Sequence, residues 1–217
     1  MIKIYLDLET YRPNGAFLDE KIIALGMLID FGSSNSIDPK DEVKEYDWGD
    51  PIPSSGIWKY IETDENTTEE EIISRFYQLL EKLDDIKIII GFNILRYDIP
   101  LLVQRGKELG VKDVKDANLL FYDAFTVDYF QVCLTLNNMR FKGNRLENCA
   151  SKLEQLSGQQ IPKRVGKGSV IAELYEQKNY DEIKDHLYSD LLVIRAIDLI
   201  FVDKCWEAFR QEQKKPW

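Results

Sequence analysis

The stretch that decides the fold is IKIIIGFNILRYDIPLL, residues 86–102. Ile86 to Ile90 form a short apolar run of β-branched residues, the pattern of a strand buried on both faces. Gly91 and Asn93 then turn the chain across the end of that strand. Asp98 stands two residues before Pro100, where a helix is expected to begin and run from Ile99 to Leu109, ended by Gly110. An Asp in that place can cap the helix, or it can present a carboxylate at the edge of a sheet.

Upstream, Ile2 to Leu8 alternates as a strand, and Lys21 to Phe31 (KIIALGMLIDF) reads as a second, strongly apolar one. A third, weaker strand is expected over Glu42 to Trp48, followed by a loop at Asp50 to Ser55, whose prolines cannot join a ladder. From Thr67, TTEEEIISRFYQLLEKL opens with a capping threonine and an acidic first turn. It then spaces Ile72, Ile73, Phe76, Leu79, Leu80 and Leu83 as one helical face. Downstream, Leu119 to Ala124 (LLFYDA) fits a short strand. From Thr126 the chain reads as mainly helical, broken at Ile161 to Ser169, with a final helix from about Tyr180 to Arg210 and a frayed tail over 211–217. The order predicts a single domain over residues 1–210, with a mixed five-stranded α/β sheet (three antiparallel strands, then two parallel) flanked by helices.

Acidic residues recur at the ends of these elements. Asp7 and Glu9 lie two apart on the first strand, so both side chains face the same way. Paired carboxylates repel unless one takes a proton or a divalent cation with oxygen ligands lies between them. In the last helix, KDHLYSDLLVIRAIDLI places His186, the sole histidine of the chain, one turn before Asp190. Asp190 directly precedes the apolar run that should meet the sheet.

DLET at 7–10, GFNILRYD at 91–98 and an HxxxD helix at 186–190 together resemble the three motifs of the DEDD (DnaQ-like) exonuclease superfamily. Within it they are most similar to the proofreading exonuclease domain of family B DNA polymerases. The resemblance implies an RNase H-like fold and a metal-dependent 3′-to-5′ exonuclease. Asp7, Glu9, Asp98 and Asp190 would hold two Mg²⁺ or Mn²⁺ ions, with Asp7 bridging them, and Asn93 would position the strand. The expected substrate is single-stranded DNA, with RNA 3′-end trimming or a non-catalytic nucleic-acid-binding module of the same fold as alternatives. The sequence departs from the superfamily at the third motif, where His186 stands at the spacing of the tyrosine branch. His186 is either the general base for the attacking water or the group that orients it; Tyr188 lies nearly on the opposite helix face. Thr10 and Tyr11, just past the first motif, are candidate substrate contacts, Tyr11 by stacking, whereas Phe92 and Tyr97 are expected in the core.

Composition bounds these expectations. The 217 residues are 44% hydrophobic and carry a formal charge of −10, which argues against broad non-specific phosphate binding. It leaves room for a local basic strip, and Lys163, Arg164 and Lys167, in the flexible-looking loop IPKRVGKGS, are the candidate phosphate contacts. Cys133, Cys149 and Cys205 lack metal-ligand spacing and are expected as reduced structural thiols in helices. The charged N-terminus and the lack of a long apolar run suggest a soluble cytoplasmic protein without a membrane partner. With no polymerase segment after residue 217, the expected role is repair or end trimming, beside a polymerase or repair partner not visible in the sequence.

Overall fold

The computed structural model describes residues 1–13, 20–32 and 34–213. Its centre is β1 (Ile2–Tyr11), which pairs antiparallel with β2 (Lys21–Asp30) on one side and parallel with β5 (Lys87–Gly91) on the other. β2 continues the antiparallel half through β4 (Ile57–Thr63), and β5 continues the parallel half through β6 (Phe125–Asp128). A three-residue strand, β3 (Val43–Glu45), lies parallel to β4 at the outer edge, so the sheet runs β3-β4-β2-β1-β5-β6.

The mixed, helix-flanked sheet is the one expected, with three corrections of detail. It has six strands among the described residues, because Ile57–Thr63 joins it: IWKYIET carries alternating polar residues and comes after a proline-rich loop, which hides its strand character. The weak third strand pairs with β4 rather than forming a hairpin with β2. LLFYDA is not a strand. Asp113 accepts the Lys115 backbone N–H at 2.8 Å and starts helix α3 (Val114–Tyr122), and the strand begins only at Phe125. A short apolar run does not distinguish the two.

Strand alternation assigns the two faces. Ile2, Ile4, Leu6 and Leu8 point into one core with helices α1 (Glu69–Lys82) and α2 (Asp98–Glu108). Tyr5 points to the other, shared with α4 (Tyr129–Leu136), α5 (Leu146–Ser157) and the long α7 (Tyr180–Gln213). A short α6 (Ile171–Glu176) packs near the start of α7. α1 begins at the capping threonine and acidic first turn expected from the sequence, with Thr68 and Glu71 forming a capping box. α7 extends past Arg210 to Gln213, and residues 214–217 of the expected tail lie outside the described residues.

Two buried charged residues fasten α7. Arg195, fully buried, pairs with Asp30 at 2.8 Å and donates to the carbonyls of Ser34 and Ser36. Asp198 accepts from Lys3, Tyr5 and Tyr129 at 2.6, 2.9 and 2.7 Å. The cysteines correct another expectation: all three lie in helices, but Cys133 and Cys149 are bonded to one another, joining α4 to α5, and Cys205 alone is free and exposed. No helix among the described residues is long and apolar enough to cross a membrane.

Gly26 marks how closely α7 approaches the sheet. A Cβ there would lie 2.8 Å from Leu187 Cγ and 2.9 Å from Leu191 Cδ1. Gly26→Ala should therefore destabilise the protein by about 1–3 kcal/mol through overpacking, read as a lower midpoint in chemical denaturation; an unchanged midpoint would show that α7 can move aside.

Candidate active site

Gly26 also fixes the direction of the first motif. It lies opposite Asp7 in the β1–β2 ladder, and directly paired residues share a face, so Asp7 points toward α7. Glu9, two residues on, does the same until the ladder is interrupted by a bulge between Glu9 and Thr10. Such bulges re-aim side chains at strand ends.

The second motif closes over the end of β5. A Cβ on Gly91 would collide with Ile94 and the Leu6 backbone, so the chain passes here only without a side chain. Asn93 then takes a left-handed conformation, φ 71°, which asparagine tolerates better than most residues. Asp128, at the end of β6, holds the turn: its carboxylate accepts the backbone N–H groups of Asn93 at 2.7 Å and Leu95 at 3.2 Å while capping α4 through Phe130. Reading the sequence missed Asp128, whose only signal was its place before an apolar helix. Asp98 is the first residue of α2 rather than its cap, which is Tyr97. It is 3% exposed and accepts the Leu8 N–H at 3.1 Å, stitching the second motif to the first.

α7 brings the third motif. His186, 2% exposed, has Nδ1 2.5 Å from the Val165 carbonyl and Nε2 3.4 Å from Glu9 and 3.8 Å from Asp190. A carbonyl only accepts, so Nδ1 carries a hydrogen and donates it. In the neutral ring Nε2 is then the acceptor, and Arg164 Nη2 donates to it at 3.4 Å beside the two acids. Tyr188 instead lies under Lys59, 4.5 Å from Nζ to the ring centre, away from the site.

Four carboxylates thus converge from β1, α2 and α7, and their electrostatics show it. Burial pushes Asp7 well above the ordinary carboxylate range, and Asp190, Asp98 and Glu9 add to the shift while Arg164 opposes it. Burial and then Asp190 raise Glu9 to about 8. Burial raises Asp98 to about 7 against the pull of its backbone hydrogen bonds.

The basic loop over 161–169 is docked, not free. Val165 N–H donates to Ser189 Oγ at 2.8 Å, and its carbonyl takes the His186 hydrogen. Arg164 grips both oxygens of Asp190 and pairs with Glu147 at 2.8 Å. A cleft of about 830 Å³ opens beside the acids, lined among others by Asp7, Asn93, Phe92, Arg164, Lys167 and Asp190. Lys163 lines a separate, smaller hollow. Thr10 and Tyr97 are engaged with Glu20, and Tyr11 bonds Glu176 and packs on Tyr175, so neither Thr10 nor Tyr11 lines the cleft.

The donor set suits a hard divalent cation: several carboxylate oxygens, crowded and short of positive charge. Among the described residues, no three His, Cys, Asp or Glu side chains are disposed to hold a metal ion as they stand. Arg164 meanwhile takes both oxygens of Asp190.

Compared with known families, residues 4–143 match the model of the DNA polymerase family B exonuclease domain. None of the curated proteins matches the chain.

Raised carboxylate pKa values have a stability signature. In the folded, metal-free protein Glu9 and Asp98 keep their protons to about 8 and 7, against 4.5 and 3.8 as ordinary groups. The folded state binds more protons across that window, so stability should fall as pH rises from about 4 to about 8. Thermal melting in EDTA should show this slope, and Glu9→Gln should flatten it; a melting temperature rising over that range would contradict the burial of these acids.

Proposed function

The chain belongs to the family of DNA polymerase family B exonuclease domains, and on that footing we propose that it is an active 3′-to-5′ exonuclease on single-stranded DNA. The observation that carries the reading is the meeting of Asp7, Glu9, Asp98 and Asp190 at one end of the sheet, with the imidazole of His186 turned toward them. Two Mg²⁺ or Mn²⁺ ions held by these four acids would neutralise their repulsion, acidify the attacking water and compensate charge on the leaving 3′ oxygen.

The remaining work falls to other side chains. His186, hydrogen-bonded through Nδ1 to Val165, accepts the water proton at Nε2 as the water oxygen bonds to phosphorus and the bond to the 3′ oxygen breaks. Asn93 and Lys167, on the cleft wall, contact the strand, and Arg164 is placed to meet the scissile phosphate once it exchanges Asp190 for that partner. DNA rather than RNA is proposed because the related domains belong to DNA polymerases.

Matched 5′-labelled DNA and RNA strands incubated with Mn²⁺ test the substrate and the polarity together, the expected outcome being stepwise shortening of DNA from its 3′ end. Asp7→Ala should abolish shortening with the fold intact, and should also remove the rise in melting temperature that Mn²⁺ gives the wild type. Near-normal activity in Asp7→Ala would refute the site. His186→Ala should lower the rate by roughly 10²- to 10⁴-fold; a loss of only a few-fold would make His186 a positioning residue.

A further inference from the structure

The connection between α4 and α5, residues 137–145, reads NNMRFKGNR. In a chain of net charge −10 it carries three cations, Arg140, Lys142 and Arg145, and no acid. It is also more rigidly built than a simple connector requires. Asn138 and Met139 both take positive φ, 52° and 56°; asparagine tolerates this, but Met139 adopts it only because its surroundings impose it.

The surroundings are explicit. The Asn137 side chain donates to the Lys142 carbonyl at 3.1 Å, and Lys152 reaches the Leu136 carbonyl and the Asn137 side chain at 3.0 and 2.8 Å. Asn144 donates to the Phe130 carbonyl and Asn148 to that of Gly143, each at 2.7 Å. Below the loop, the Cys133–Cys149 bond holds its two helices together.

This framework turns apolar side chains outward. Met139 is 66% exposed and Phe141 62%. A single exposed apolar residue needs no explanation, but Phe141 continues an aromatic series leading into the catalytic cleft. Its ring lies 6.0 Å from Phe130, which meets Phe92 edge-on at 5.6 Å. Phe92 and Phe130 line the cleft, as do Asn144 and Arg145 at the end of the loop. Arg96, from the second motif, lies over both Phe130 and Phe141, 5.8 and 5.4 Å from their ring centres.

Aromatic faces interleaved with cations are what an unpaired nucleic-acid strand requires: every base offers a face for stacking, and every linkage an anion. We propose that residues 137–145, with Arg96 and Phe130, form a platform on which unpaired bases of the strand stack as it enters the cleft, Phe141 being the principal stacking residue. The platform rests on the exonuclease reading of the neighbouring site. The loop's cations and lack of acids favour a polyanion over an apolar protein surface as the occupant.

The test is binding of short labelled single strands in EDTA, measured by fluorescence anisotropy, with Phe141→Ala and Phe141→Trp beside the wild type. Strands whose last few nucleotides are abasic serve as the comparison. Phe141 is mostly in solvent, so either variant should fold. Phe141→Ala should weaken binding of the base-bearing strand by roughly 5- to 100-fold and leave abasic binding nearly unchanged, with Phe141→Trp restoring affinity. A 2-aminopurine near the 3′ end should be quenched by wild type and much less by Phe141→Ala. If Phe141→Ala affects both strands alike, or neither, the stacking platform is refuted while wild-type cleavage stands. A wild type that binds and shortens no strand refutes the exonuclease reading, and the platform with it.

Discussion

Like charges crowded out of water repel strongly, because a low local dielectric no longer shields them. Asp7, Glu9, Asp98 and Asp190 are crowded in that way, which is why Glu9 and Asp98 hold protons to about 8 and 7, and much of the surrounding structure opposes their separation. The Leu8 N–H binds Asp98 to the strand that carries Asp7. Asp128 fixes the turn leading to Asp98. Arg195 and Asp198 prevent α7 from withdrawing Asp190 and His186. Each restraint is itself polar and at least partly buried, so geometry is maintained by directional bonds rather than by apolar contact alone.

How legible each element was in the sequence depends on the kind of signal it carries. β1, β2, β5, α1 and α7 declare themselves through long or regular apolar patterns, and the acids on β1 and α7 could be placed from them. β4 could not, because Trp58, Lys59 and Tyr60 do not form a clean apolar stripe. The LLFYDA segment misled because helix and strand look alike over six residues, and the decisive signal was Asp113 upstream. The Cys133–Cys149 bond depends on two helices lying side by side, a tertiary fact that spacing does not encode. Asp128 and the loop at 137–145 act through neighbours distant in sequence, and were invisible for the same reason.

The basic residues divide into distinct roles. Arg164 and Lys167 sit on the docked loop beside α7, Arg164 already paired with Asp190 and Glu147. Arg140, Lys142 and Arg145 lie on another connection, between α4 and α5. An acidic chain can thus carry confined positive patches, and the single strand proposed as substrate would meet them there.

The Arg195–Asp30 pair sets how many residues this helix can hold between its two ends. Each residue added to a helix rotates the part beyond it by about 100°. An insertion between Asp190 and Arg195 would swing either the guanidinium or the carboxylate out of phase, leaving one of them desolvated and unmatched. The helical segment from His186 to Asp198 therefore behaves as a fixed ruler, with the acid cluster at one end and a buried ionic bond near the other.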